Sequence, residues 1–304
     1  MKTKIKLLNR ILSLVIVFVL AFGMLPVRAY TVVEGDGWYI DNDILFVTGK
    51  ITELPQYGYY SINVASGGEL AFADSEVWKY EVTNSGTISG GTFQEEIENL
   101  GVISGGVIQG KVRNYGKIVG GTFQEEVENF SVGDISGGMF LKVVENNGEI
   151  NGGNFETEVK NEYDGFINGG TFLVYVTNNH RITGGIFRCA VKNNDHISGG
   201  EFQNSVENSQ NGGIDGGTFS FIINNKGVII KAKFLGAFLV GNDPQSVIHS
   251  VNGEDKPLGY GKNLLSELGE AQAGTAWYTG ENSINGGTVP LSYTQYTLKA
   301  HSHN

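Results

Sequence analysis

Residues 88–99 read ISGGTFQEEIEN, residues 103–114 read ISGGVIQGKVRN and residues 118–129 read IVGGTFQEEVEN. One phrase is written three times at fifteen-residue steps, and the frame runs on. Gly-Gly pairs begin at Gly90, Gly105, Gly120, Gly137, Gly152, Gly169, Gly184, Gly199 and Gly216. Two residues before each pair stands an Ile, from Ile88 to Ile214. Three after its first glycine stands a Phe, replaced once by Ile108, and seven after stands Ile or Val. Nine after, the residue is always Asn: Asn99, Asn114, Asn129, Asn146, Asn161, Asn178, Asn193, Asn208 and Asn225.

A unit this short cannot bury its own apolar side chains, so like units must stack on one another. Fifteen residues are too few for a helical pair, whereas β-branched and aromatic residues in short runs broken by glycine favour strands. The fold expected is all-β: a parallel β-solenoid, of either hand, with about eleven coils of 15–17 residues. Ile, Phe and Val columns then stack inside, the glycines turn a corner, and the Asn column forms a hydrogen-bonded ladder. Signs alternate between coils along Glu96, Lys111, Glu126 and along Glu98, Arg113, Glu128. Alternation has a physical use only if those coils are neighbours.

Flanking segments divide the chain. Residues 1–29 carry Lys2, Lys4, Lys6 and Arg10 ahead of an apolar run and a small-residue site before Tyr30, the pattern of an export signal. Residues 30–74 are aromatic and β-like without the frame, and are expected to be an irregular cap of starting coils. The repeat domain is expected over 75–240, with Trp78, Val82 and Asn84 keeping the columns of its first coil. Residues 241–304 read as a linker and a small β-rich module, with a helix candidate at 263–272. The expected location is therefore secreted or extracellular.

Charge and composition exclude several partners. The formal charge is -11, and losing the five cations of the signal segment with no acid takes it to -16. Such a surface repels nucleic acid and anionic membranes, so neither is expected once the signal is removed. Cys189 is the one cysteine, which leaves no disulfide framework. The five histidines are too scattered in sequence for a zinc site, and the Asp41-Asn42-Asp43 cluster lacks a calcium-loop pattern. No cofactor or metal is expected. The sequence sets no oligomeric state.

Binding is the expectation, at one edge of the rod. Three coils gain two residues between the Asn and the next Ile: FSVGD at 130–134, EYDGF at 162–166 and SQNGG at 209–213. Insertions confined to one corner mark a loop edge, where solenoids vary for binding. The candidate residues are Tyr163, Asp164, Phe166, Asp134 and Gln210, and the expected partner is a glycan or a host or cell-surface protein. Phe166 has two readings, a ring exposed to a sugar or a ring tucked under the turn. A polysaccharide lyase or hydrolase is the alternative, because such enzymes use this architecture. Against it, Asp134, Asp164, Asp195 and Asp215 share no column on adjacent coils. Leu173, Val174, Tyr175, Phe221 and Ile222 replace the earlier polar residues of their segment and are candidates for an exposed apolar patch.

The signal followed by G-x-I-x-G-G-x-F-x-x-x-V-x-N repeats resembles secreted, adhesin-like surface proteins of Gram-positive bacteria, over about half of the chain. WYTGE and YTLKA near the end resemble part of a Listeria-Bacteroides repeat, a small β module of secreted proteins. The resemblance implies an extracellular, non-catalytic, adhesive or wall-associated role and supplies no binding residue. The chain lacks an LPxTG-type sorting motif.

Overall fold

A computed structural model of the chain describes residues 33–53, 55, 60–220 and 222–230, and strand segments beyond them up to residue 300. The expected export signal at 1–29 and the helix candidate at 263–272 lie outside the described residues. The described chain is all-β, a parallel solenoid of about twelve turns. Each turn of the repeat contributes three short strands, as in Lys117–Ile118, Thr122–Phe123 and Val127–Asn129. Each strand pairs in parallel with its equivalent in the turns before and after. Three sheets result, here called the Ile, Phe and Val-Asn sheets after their inward residues.

Register follows the columns of the sequence. Ile97 faces Val112 and Asn99 faces Asn114, and the inward Ile, Phe and Val side chains of the repeat are buried. From Phe123 to Phe219 the rings stack face to face, with centroids 4.7–4.8 Å apart and planes within 5–8°. That spacing is the rung spacing of a sheet. Ile108 interrupts the stack without opening the core. The second glycine of each pair has a φ of 93–107°, a region closed to side-chain-bearing residues, and this is the corner between the Ile and Phe sheets.

The Asn ladder is complete over ten rungs. Each Nδ2 from Asn84 to Asn208 donates to the Oδ1 of the next rung at 2.7–2.8 Å, and all ten side chains are fully buried. The side chains form a second hydrogen-bonded column parallel to the backbone ladders. Polar atoms in a core are tolerated when satisfied in this way.

Both ends leave the parallel pattern. Val33–Gly35, Trp38–Asp41 and Ile44–Val47 form an antiparallel meander, turned at Asn42 and Asp43 with φ of 49° and 61°. Asn and Asp are the residues a tight primed turn takes, so this cluster has a backbone role. Parallel pairing starts within the expected cap: Ile44–Val47 pairs with Ser61–Val64, and that strand with Glu81–Asn84. Phe72 covers Trp78 at the first rung. At the other end Phe238–Asn242 continues the Val-Asn sheet and then pairs antiparallel with Thr294–Ala300. Covering the terminal strands removes open edges that would otherwise pair with other chains.

Candidate functional site

The corner after the Asn ladder positions the loop edge. In fifteen-residue coils the Asn amide also donates two residues ahead, as in Asn114 to the Gly116 carbonyl at 3.2 Å and Asn146 to Gly148 at 3.0 Å. In the longer coils it donates four ahead: Asn129 to Gly133, Asn161 to Gly165 and Asn208 to Gly212, at 2.7–3.2 Å. The same side chain therefore clamps either loop length, and the core register is unchanged. Within each longer loop the fourth residue's N–H closes a turn, Gly133 to Phe130, Gly165 to Glu162 and Gly212 to Ser209.

That closure puts two residues at each tip. Val132 is 73% exposed and Tyr163 77%, and Asp164, beside Gly165, and Gln210, two residues before Gly212, are exposed. The three tips share one edge, two and three rungs apart, about 10 and 14 Å. Between them the residues following each Asn form an outer ladder: Ser209 Oγ donates to Asn194 Oδ1, Asn194 to Asn179 and Asn179 to Glu162, at 2.6–3.2 Å. Toward the first loop the same column holds Tyr115 and Phe130, stacked at 4.3 Å and 9°. Each ring covers one face of the other, and both are half-buried. Tyr163 is the exposed ring of the three loops.

The expected site residues divide into two groups. Tyr163, Asp164 and Gln210 belong to the tips. Asp134 and Phe166 close their loops but lie in the Ile sheet, one residue before Ile135 and Ile167, with side chains on the outer face. Asp134 Oδ1 accepts from Asn151 Nδ2 at 2.8 Å. Phe166 is half-buried, outside the core cluster, and sets its ring edge-on to His180 at 4.8 Å. Neither reading of Phe166 made from sequence describes it: the ring lies against the outside of the sheet because its strand neighbour Ile167 takes the inward position.

A cluster that sequence inspection passed over lies beside it. His180 Nδ1 is 3.6 Å from Asp195 Oδ2, and His196 Nε2 is 3.1 Å from Asp215 Oδ2. His180 and Asp195 occupy the turn column that is glycine in neighbouring coils, where a Cβ on Gly101 or Gly116 would stand 2.1–2.2 Å from the carbonyl of the rung before. At His180 the rungs part: Arg181 N reaches the Gly165 carbonyl at 3.4 Å, against 2.8 Å for Lys117 to Gly101. At Gly213 the position below His196 has no side chain, and a Cβ there would meet the imidazole Nδ1 at 3.4 Å. The ring lies across this glycine to reach Asp215. Reading His180 and His196 as adjacent columns on successive coils was the available signal.

Charged rungs on the Val-Asn sheet behave as alternation predicts. Arg113 meets Glu96 at 2.5 Å and Glu128 at 3.6 Å, while Lys111 meets Glu126 at 3.3 Å and Glu128 at 2.7 Å. Like charges face each other where Glu128 meets Glu145, and Lys160 answers Glu145 at 2.8 Å. Glu126, Glu128 and Glu145 bring carboxylate oxygens within 4.8 Å of one another, but Lys111, Arg113 and Lys160 already pair with them, so the group reads as an ion-pair network. Among the described residues no helix is long and apolar enough to cross a membrane. Comparison with protein-family models, curated proteins and solved structures finds no match.

Proposed function

We propose that this is a secreted, adhesin-like surface protein of a Gram-positive bacterium that binds a glycan, or a glycan-bearing cell surface, along its loop edge without turning it over. The observation that carries the reading is the repeated two-residue insertion at one corner. Three loops are lengthened there, each clamped by its own Asn, and each presents exposed side chains while the core columns stay in register. Tyr163 supplies an exposed ring suited to stacking on a sugar, and the Asp164 carboxylate and Gln210 amide supply partners for hydroxyl groups. Loops on a rigid scaffold are where binding usually resides.

A polysaccharide-active enzyme is the second reading, favoured by the His196–Asp215 pair, since an imidazole held by a carboxylate is a common general base. One experiment separates the two. The exported chain is applied to a glycan array, and each bound glycan is then assayed for reducing ends or unsaturated products. Binding without products is expected. Product formation that disappears in His196→Ala would replace the first reading by the second.

A further inference from the structure

We infer that Asn211, at the tip of the third lengthened loop, is a self-modifying site: the main-chain nitrogen of Gly212 attacks its side chain and converts it to aspartate and isoaspartate. Among the described residues, Asn-Gly pairs stand at 147–148, 151–152, 168–169 and 211–212. Glycine leaves its nitrogen unshielded, so each pair has the composition this reaction needs. Exposure does not single out one of them, because Asn151 and Asn168 are exposed as Asn211 is. Hydrogen bonding does.

Asn147, Asn151 and Asn168 each donate their main-chain N–H to the rung before, to the carbonyls of Asn129, Ile135 and Ile150 at 2.7 Å. Gly152 and Gly169 donate to Ile135 and Ile150 as well, at 3.2 and 3.1 Å. Two of the carboxamides are also held. Asn151 Nδ2 donates to Asp134 at 2.8 Å and to Glu149 at 3.2 Å, its Oδ1 accepts from Asn168 Nδ2 at 2.9 Å, and Asn168 Oδ1 accepts from Thr183 Oγ1 at 2.6 Å. Swinging the carboxamide carbon onto the glycine nitrogen at these places means parting a rung of the solenoid. Asn211 stands outside the rungs and has no hydrogen-bond partner among the described residues. Gly212 N–H closes one turn to the Ser209 carbonyl at 2.8 Å, and opening a single exposed turn costs far less than opening a sheet.

The fold itself imposes the glycine. A Cβ at Gly212 would stand 2.2 Å from Asn208 Oδ1, and at Gly133 and Gly165 it would stand 2.3 and 2.4 Å from Asn129 and Asn161 Oδ1. The Asn clamp therefore requires glycine after every tip, and the residues before these glycines are Val132, Asp164 and Asn211. Valine carries no electrophile, and an ionised carboxylate is a far poorer one than a carboxamide.

Water is the one co-reactant. The Gly212 nitrogen gives its proton to solvent base and bonds to Asn211 Cγ, the Cγ–Nδ2 bond breaks, and Nδ2 leaves as ammonia with a proton from solvent. Water then opens the cyclic imide at either carbonyl, giving aspartate or isoaspartate, and nothing is oxidised or reduced. Either product puts a carboxylate on the tip. Isoaspartate also adds a methylene to the main chain ahead of Gly212, whose carbonyl the Asn208 amide holds at 3.0 Å. The Asn208–Asn225 bond behind it, at 2.8 Å, belongs to the buried ladder, so the change stays in the loop. It does not depend on what the loops bind.

Peptide mapping of the full folded chain, aged at mildly alkaline pH, tests the inference. Asn211 is expected to yield both aspartate and isoaspartate, at least about tenfold faster than Asn147, Asn151 or Asn168, because only the latter need a rung to open. In urea the four rates are expected to converge. Asn211→Gln, whose longer side chain must close a larger ring, is expected to leave that peptide unmodified with an unchanged circular dichroism spectrum. An Asn211 that survives in the folded chain and converts only in urea, conversion without isoaspartate, Asn151 or Asn168 keeping pace with it in the folded chain, or a rate difference that persists in urea would each overturn it.

Discussion

Asn114 Nδ2 donates to Asn129 Oδ1 at 2.7 Å, and both side chains are fully buried. The bond is one of nine in a single file, all pointing the same way, and it ties the loop corner to the core. An interior Asn both donates up and accepts from below. Replacing Asn146 by Ala therefore breaks the ladder on both sides, leaving one Asn129 amide hydrogen and the Asn161 carbonyl oxygen without their partners, and also removes the bonds that Asn146 makes to Gly148. The expected loss is on the order of 3 kcal/mol, because each unsatisfied buried group costs about 1–3 kcal/mol. Asn84→Ala, at the first rung, leaves one ladder neighbour without its partner and should cost about half as much. Urea unfolding of the two variants measures the difference, and equal losses would show that the ladder does not act as a chain.

The Phe stack gives a sharper contrast between adjacent residues. Phe155 lies between Phe140 and Phe172 with centroids 4.8 and 4.7 Å away, whereas Glu156 is exposed. Phe155→Ala should cost about 3–5 kcal/mol, and Phe155→Asp more, through a buried unpaired charge. Glu156→Asp should change stability by less than about 0.5 kcal/mol. Thermal or urea unfolding checks the pair.

Columns were legible because each recurs. The fifteen-residue frame, the inward Ile, Phe and Val, the Asn ladder and the place of the insertions all follow from one alignment of Gly-Gly pairs. Three things were not. The first coils at 44–71 pair in parallel, but their Gly67-Gly68 stands at the loop corner after Val64 instead of in the repeat's Gly-Gly column, and they follow a hairpin, so no column identifies them. Phe166 closes a lengthened loop, where counting residues does not say whether the ring turns in or out. His180 and Asp195 share a turn column that is glycine in neighbouring coils, and His196 meets Asp215 only by reaching diagonally across Gly213 to the next rung. Among the residues expected to form an apolar patch, Leu173, Val174 and Tyr175 are exposed together, whereas the side chains of Phe221 and Ile222 lie outside the described residues.

The ion-pair network predicts a salt effect. Lys111→Met leaves Glu126, Glu128 and Glu145 close together with one cation fewer. These groups are partly exposed, so the loss at low salt should be below about 1 kcal/mol. Salt weakens the wild-type attraction and relieves the variant's repulsion, so the gap between their thermal midpoints should close as sodium chloride is added. A gap that is indifferent to salt would assign the effect to lost packing of the lysine stem.

Cys189 predicts both a reactivity and a pH dependence. Burial pushes its thiol from the ordinary 9.0 up to about 12, because the thiolate is disfavoured away from water. The folded thiol should stay unlabelled by iodoacetamide at neutral pH and react once urea unfolds the chain. The folded state keeps the proton where the unfolded state has lost it, so this group's contribution is full below pH 9 and declines as pH rises toward 12. Cys189→Ser should flatten the alkaline fall in stability, and an unchanged fall would place its cause elsewhere.

We propose that binding belongs to the lengthened loops and folding to the columns behind them. The most direct measurement trims all three loops, 130–134, 162–166 and 209–213, to the fifteen-residue length and compares binding to glycans captured by the wild type. Each Asn then donates to the carbonyl two residues ahead, as Asn114 and Asn146 already do. An unchanged circular dichroism spectrum, a thermal midpoint close to that of the wild type, and loss of glycan binding are expected. A trimmed rod that folds and binds as before would contradict the proposal.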